Sequence, residues 1–514
     1  MGLAMHEFPP PPRSSKEKLV NGTGHVEDQV PGGLTPSHSM DMDIVAESST
    51  SGRIIHEMDV NETYLPVLHV EVRLRPGSNI QSGHLRQIVS SYIQSNHDIL
   101  VPETLLEGWE DVDILQRRVD RIWIAERSDG SSLPIPSSDV ELGVYIYTPT
   151  LGVQTEDFGA DTEDRDEEEG DHVPAATVKE LPAPDIDGLW DNLIYSDDLK
   201  ERLLRYIFAT MRFADAGIDS NVISWNRMVL LHGPPGTGKT SLCRALAQKL
   251  SIRLSETYFR GKLVEINSHS LFSKWFSESG KLVQKLFTTV EDMASDQETF
   301  VVVMIDEVES LTAARAGAMT GNEPSDAVRV VNALLTGLDR LKPYKNILVM
   351  TTSNIAGAID PAFVDRADIK EFVDYPPPQA VYMILSACLT EIMGKGLVQR
   401  QDIAPWASLA GSRINGAGAS GMSPSATLKH LAIQCHKYTL AGRFLRRLPV
   451  LSYARYLAAT LPPSDHRPLP LSTWLSAMER VIQDEQRSRT VIAEAEGHRG
   501  DKTGITKVKV DAEN

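Results

Sequence analysis

The sequence predicts an α/β module, a parallel sheet flanked by helices and completed by a helical subdomain, preceded by a small α+β domain. Three observations predict it. Between about 186 and 376, short apolar runs alternate with helical patterns, as strands buried on both faces and joined by crossover helices require. From Pro377 onward the pattern is helical. From about 54 to 150, periods of two and of 3.6 residues are mixed.

Residues 1–52 are rich in Pro, Ser, Gly and Met without periodicity and are read as a disordered tail. The α+β domain is assigned to 53–151. In "VLHVEVRLR", Leu68, Val70, Val72 and Leu74 alternate with His69, Glu71, Arg73 and Arg75, the period of a half-buried strand. "SGHLRQIVSSYIQ" places Leu85, Ile88, Val89, Tyr92 and Ile93 on one helical face, with Ser82 as its expected cap. "VDRIWIAE" and "VELGVYIY" read as further strands. No catalytic constellation falls here, so binding is the expected work of this domain. Residues 152–185 are read as an acidic linker: ten acids from Glu156 to Asp171 face only Arg165. The large subdomain, 186–376, opens on the helix "SDDLKERLLRYIFATM" and carries the strand runs "MVLLH", "LVEI", "FVVVMIDE", "ILVMTTSN" and "KEFVDY". The helical subdomain, 377–488, is interrupted by the Gly- and Ser-rich "GSRINGAGASGMSP", and 489–514 is read as a disordered tail.

A formal net charge of -19 argues against a chain built to hold nucleic acid electrostatically. The three cysteines, Cys243, Cys388 and Cys435, have no paired spacing, so neither a disulfide framework nor a zinc site is expected. No apolar run approaches the roughly 20 residues of a spanning helix, and the start shows no signal core. A reducing compartment, cytosol or nucleus, is the expectation.

"GPPGTGKT", Gly233, Pro234, Pro235, Gly236, Thr237, Gly238, Lys239 and Thr240, fits the phosphate-binding loop G-x-x-x-x-G-K-[ST]. Its glycines let backbone N–H groups converge on phosphates, and the following helix offers its positive end. The strand "MVLLH" leads in and "SLCRALAQKL" leads out, the context the motif requires. Lys239 is placed to reach the β and γ phosphates of ATP, and Thr240 to ligate Mg2+. Cys243 is assigned to packing. "FVVVMIDE" ends in Asp306, the second expected Mg2+ ligand, and Glu307, placed to polarise an attacking water. "ILVMTTSN" ends in Asn354, whose amide is suited to orienting that water or sensing the γ phosphate. Taken alone, Arg366 in "VDRAD" and Arg443 in "GRFLRRLP" read as an ion-pair partner and an ordinary helix residue.

Together these elements resemble an AAA+ ATPase module. "EINSHSLFSKWFSESGKLV", "IDEVESLTAAR", "EPSDAVRVVNALLTGLD" and "TTSNIAGAIDPAFVDRADIK" are similar to the pachytene checkpoint protein 2 family. The resemblance implies an AAA+ large subdomain with a helical lid behind a small α+β domain that recognises client or adaptor. It implies a homo-hexameric ATPase that converts HORMA-domain proteins between conformers, directly or through an adaptor, in meiotic and spindle-checkpoint control. The implied locations are the nucleus, at meiotic chromosomes, and the cytoplasm and kinetochore. It gives Asn354 the first sensor role, Arg366 the arginine finger and Arg443 the second sensor on the lid. A nucleotide-switched scaffold without mechanical work is the alternative, and neither nucleic acid nor membrane is an expected partner.

One stretch resists a simple reading. Leu271, Phe272, Trp275 and Phe276 have the spacing of one buried helical face. Their placement between "LVEI" and "KLVQKLFTTVEDM" is the connection that lines the pore of AAA+ rings. Lys274, Trp275 and Phe276 are therefore expected to meet the substrate, with Leu271 and Phe272 as anchors; core packing is the alternative.

Overall fold

The computed structural model describes residues 65–78, 81–150, 156–158, 176–195, 197–219, 222–268, 279–311, 326–354, 359–409, 423–458 and 467–502. The small domain is a four-stranded mixed sheet in the order Thr104–Leu105, Val119–Arg127, Val67–Leu74, Glu141–Tyr147. Val67–Leu74 pairs antiparallel with Val119–Arg127 and parallel with Glu141–Tyr147. Alternation decides its faces: Leu68, Val70 and Val72 pack with Leu85, Val89 and Ile93 of the helix Ser82–Asn96. The expected Ser82 cap is corrected. Ser82 is the first helical residue, and Gln81 before it makes no side-chain cap bond.

The central sheet has five parallel strands in the order Ile369–Phe372, Met228–His232, Ile347–Ser353, Thr299–Asp306, Arg260–Asn267. Every residue of Ile347–Ser353 is buried, and all of Thr299–Asp306 but its last, because helices cover both faces. On one face Phe287, Val290, Val331 and Leu334 join Val301, Val303 and Ile305. On the other Leu203, Ile207, Leu242 and Leu246 join Val229, Leu231, Val302 and Met350.

Two sequence readings are corrected here. The interval 152–185 is not linker throughout: Ala176–Leu181 pairs antiparallel with Arg260–Asn267, and Glu156–Phe158 pairs antiparallel with Ala176–Leu181, extending the sheet to seven strands. Ala176, Val178 and Leu181 are buried, a pattern that the neighbouring acidic run outweighs in any composition window. The tail 489–514 is not disordered from its start either. The helix Leu471–Lys502 runs on into it as far as Lys502, seeded by buried Trp474, Leu475, Met478, Val481 and Ile482 and continued by helix formers such as the ion-paired Glu485 and Arg489. The lid packs this helix with Pro378–Gly394, Pro424–Lys437 and Gly442–Ser452 around its own core. The Gly- and Ser-rich insertion lies almost wholly outside the described residues.

Candidate nucleotide site

The phosphate loop leaves the strand Met228–His232 at Gly233 and enters the helix Lys239–Arg253. Gly233 has φ 147°, and a Cβ there would lie 2.3 Å from the Val373 carbonyl oxygen, so only glycine lets the loop begin this close to its neighbour. Lys239 Nζ donates to the carbonyls of Gly233 and Pro234 at 2.9 and 2.8 Å. Burial pulls its ammonium below the usual lysine range, while Glu309 and Asp306 oppose the shift. Cys243, one turn into the helix, is fully buried with its thiol pushed up by burial, as packing requires.

Thr240 Oγ1 donates to both carboxylate oxygens of Asp306, at 2.9 and 3.2 Å. A hydroxyl and a carboxylate meeting at the phosphate loop are the hard-oxygen donors a magnesium ion takes. Thr352 ties the site together, donating to Asp306 Oδ1 and accepting the Glu307 N–H at 3.2 Å. Glu307 stands at φ 58°, rare for a residue with a side chain. Its carboxylate is exposed beside Asp306, and Asn354 Nδ2 lies 3.4 Å from Glu307 Oε1. The strand ends thus bring Asp306, Glu307 and Asn354 together as the sequence predicted.

The lid closes the other side. Arg443 N–H donates to the Gly236 carbonyl at 3.1 Å, and a Cβ on Gly236 would meet that of Ala441 at 3.2 Å, so glycine also permits this approach. A cavity of about 840 Å³ lies between loop and lid, lined by Gly236 to Thr240, Asp306, Glu307, Asn354 and Arg443. Its remaining walls include Ile194, Tyr195, Ile384, Arg446 and Arg447, which the sequence reading missed. Apolar Ile194 and Ile384 with the Tyr195 ring suit a nucleobase, and the arginines suit phosphate. The signal was "LIY" before the helix Leu199–Asp215, too short to stand out.

Arg366 ends the helix Pro361–Arg366 and does not line this cavity. Its guanidinium grips Asp339 through two bonds, Nε at 3.1 Å and Nη2 at 2.7 Å, and also donates to the Ala362 carbonyl. Lys274, Trp275 and Phe276, with Leu271 and Phe272, lie outside the described residues.

The far end of the Lys239–Arg253 helix meets the small domain. Lys249 Nζ pairs with Glu71 at 2.6 Å and Glu126 at 3.1 Å; Arg253 Nη2 pairs with Glu126 at 2.7 Å and Glu71 at 3.2 Å. The Lys249 and Arg253 side chains are only 3% and 1% exposed, so their charges depend on these partners. Arg253 also lies 4.6 Å from the Tyr145 ring. Nearby, Tyr147 Oη donates to Asp187 at 3.1 Å, and Arg73 pairs with the same carboxylate. The polar face of the strand Val67–Leu74 is therefore a docking face. Glu126→Ala leaves two buried cations facing one carboxylate and is expected to cost about 3–5 kcal/mol. Thermal melting measures this, and an unchanged melting temperature would contradict the role of the cluster.

A parallel sheet bearing a phosphate loop, an Asp-Glu strand end and a helical lid seated on the loop defines an AAA ATPase. Residues 229–375 match the family described as ATPase family associated with various cellular activities (AAA). Residues 64–152 match the TRIP13 N-terminal domain, and 377–486 the TRIP13-like AAA+ ATPase lid C-terminal domain. The chain belongs to the pachytene checkpoint protein 2 family. It is 44% identical to the Rattus norvegicus pachytene checkpoint protein 2 homolog over 399 residues, 77% of this chain and 89% of the relative. Identity is 43% over 397 residues to the Homo sapiens homolog, 77% of this chain and 89% of that one. It is 38% over 442 residues to the Danio rerio homolog, 84% and 98% of the two chains. The solved structure of C. elegans PCH-2 is similar at TM-score 0.61 and 29% identity, covering 82% of this chain and 99% of that one. The chain is an ATPase of this family.

Proposed function

We propose that this ATPase works as a homo-hexameric ring that uses ATP to convert HORMA-domain proteins between conformers, directly or through an adaptor held by the small domain. Its setting is meiotic chromosome-axis and recombination checkpoint control and spindle checkpoint regulation, in the nucleus at meiotic chromosomes and in the cytoplasm and kinetochore. Family membership supports the client class. The observation that carries an enzyme over a nucleotide-switched scaffold is Glu307, exposed beside Asp306 with Asn354 at its carboxylate: a switch that only binds nucleotide has no use for a base there.

In this reading, the loop Gly233–Thr240 cradles the phosphates and Lys239 meets the β and γ groups. Thr240 and Asp306 hold magnesium, which when bound supplies positive charge at the phosphate oxygens. Glu307 polarises the attacking water and Asn354 orients it. Arg443 senses the nucleotide from the lid, and Arg366 reaches a neighbouring subunit.

Lys274, Trp275 and Phe276 form the gripping segment, with Trp275 offering an apolar ring indifferent to which side chain it meets. Trp275→Ala is then expected to leave assembly, melting and basal hydrolysis within about threefold of normal while conversion of a HORMA-domain client disappears. If Trp275 is core instead, the truncation costs about 3–5 kcal/mol, and melting and hydrolysis fall together with conversion. Melting temperature, hydrolysis and client conversion on one preparation separate the two.

A further inference from the structure

Three residues past Asp306, where the chain enters a helical turn after the acidic strand, Glu309 directs its carboxylate toward the end of the neighbouring strand. Its Oε1 accepts the backbone N–H of Asn354 at 3.0 Å. Its Oε2 is buried and has no hydrogen-bond partner among the described residues. Two other links join the residues just before it to the same strand end: Glu307 N–H to Thr352 Oγ1 at 3.2 Å, and Val308 N–H to the Thr352 carbonyl at 3.0 Å. Both stop at Thr352. Beyond it, among the described residues, the bond that reaches the Asn354 backbone is the one to Glu309, and a carboxylate acceptor makes it a strong one. The Asn354 peptide carries the amide found 3.4 Å from Glu307 Oε1. A buried carboxylate that spends one oxygen on a single backbone N–H, with no partner for the other among the described residues, is a costly way to anchor a strand end if anchoring were all it did.

We propose that Glu309 is a positioning residue for ATP hydrolysis, which holds the Asn354 backbone so that its side-chain amide faces Glu307. The proposal rests on the reading that Asn354 orients the attacking water. Burial lowers the pKa of the Lys239 ammonium and Glu309 is the carboxylate that most opposes that shift, so loss of nucleotide affinity has to be measured separately from loss of turnover.

The test is a double-mutant cycle on the full chain. Steady-state ATP hydrolysis, affinity for a fluorescent ATP analogue and melting temperature are measured for Asn354→Ala, Glu309→Ala, Glu309→Gln and the double alanine variant. Glu309→Ala is expected to lower kcat by about tenfold or more, with KM and nucleotide affinity within about threefold of normal. Glu309→Gln keeps an oxygen that accepts the Asn354 N–H and is expected to recover most of the loss. The double variant is expected to be no slower than Asn354→Ala, because both changes disable one device. If Asn354→Ala turns over normally, the sensor reading falls and takes the proposal with it. If Asn354→Ala is slow while Glu309→Ala is normal, or the two losses multiply, the sensor reading stands and the role of Glu309 is overturned. Should Glu309→Ala fail to fold, Glu309→Asp, one methylene short of the Asn354 N–H, takes its place in the cycle.

Discussion

Glu307→Gln is expected to bind ATP as tightly as the native chain and to hydrolyse it about 10²-fold slower or worse. The change is nearly isosteric. It leaves the Glu307 N–H on Thr352 and the Thr240–Asp306 contact in place, so the nucleotide cavity keeps its donors and its shape. What it removes is the carboxylate's capacity to take a proton from water. Phosphate release under saturating ATP, set beside nucleotide binding on the same preparation, reads both halves. Turnover at the native rate would remove Glu307 from the mechanism and return the scaffold reading to first place. With the slow variant in hand, whatever protein it holds in the presence of ATP tests the proposed HORMA-domain client.

Arg366→Ala is expected to lower turnover by about 10³-fold with nucleotide binding intact, the scale on which an arginine finger stabilises charge at the transferred phosphoryl group. The structure supplies a competing account, because Arg366 is engaged within its own subunit by Asp339. That pair is partly exposed, 24% for the arginine and 39% for the aspartate side chain, so its contribution to stability is about 0–1 kcal/mol. Breaking it from the other side discriminates. Asp339→Ala frees Arg366 without removing it and should leave turnover near normal if the guanidinium acts on a neighbour. Mixing Arg366→Ala with Glu307→Gln subunits should raise activity above either alone, since an intact Glu307 then faces an intact Arg366 across the interface. Equal losses in Asp339→Ala and Arg366→Ala, with no recovery on mixing, would assign Arg366 to the fold.

What the sequence revealed divides along a physical line. Phosphate binding needs glycines and a lysine at set positions in one turn, and a buried strand ending in Asp306 and Glu307 has to be apolar until it ends, so both are written in contiguous residues. Ile194, Tyr195 and Ile384 come from separate segments and carry no local signature. The strand Ala176–Leu181 is six residues beside a run of acids, and a boundary drawn between 185 and 186, natural from composition, severs that strand from its sheet. His69, Glu71 and Arg73 alternate with apolar neighbours just as a solvated strand face does. Glu71 is nevertheless 6% exposed, because its partners Lys249 and Arg253 lie on a distant helix whose own polar residues are also buried. Pairings of that kind depend on the fold already being in place.

The helix Lys239–Arg253 has the phosphate loop at one end and the buried ion cluster at the other. Fifteen residues at about 1.5 Å each make a rod of about 22 Å, hydrogen-bonded along its length and packed in the core. A rod clamped at both ends transmits force. Together with the Arg86–Glu256 and Arg73–Asp187 pairs, the two carboxylates on their desolvated cations give a displacement of the small domain a direct path along this helix toward Lys239. The small domain is thus mounted on the same helix that begins at the phosphate loop, so a load placed on that domain has a stiff path to the nucleotide site.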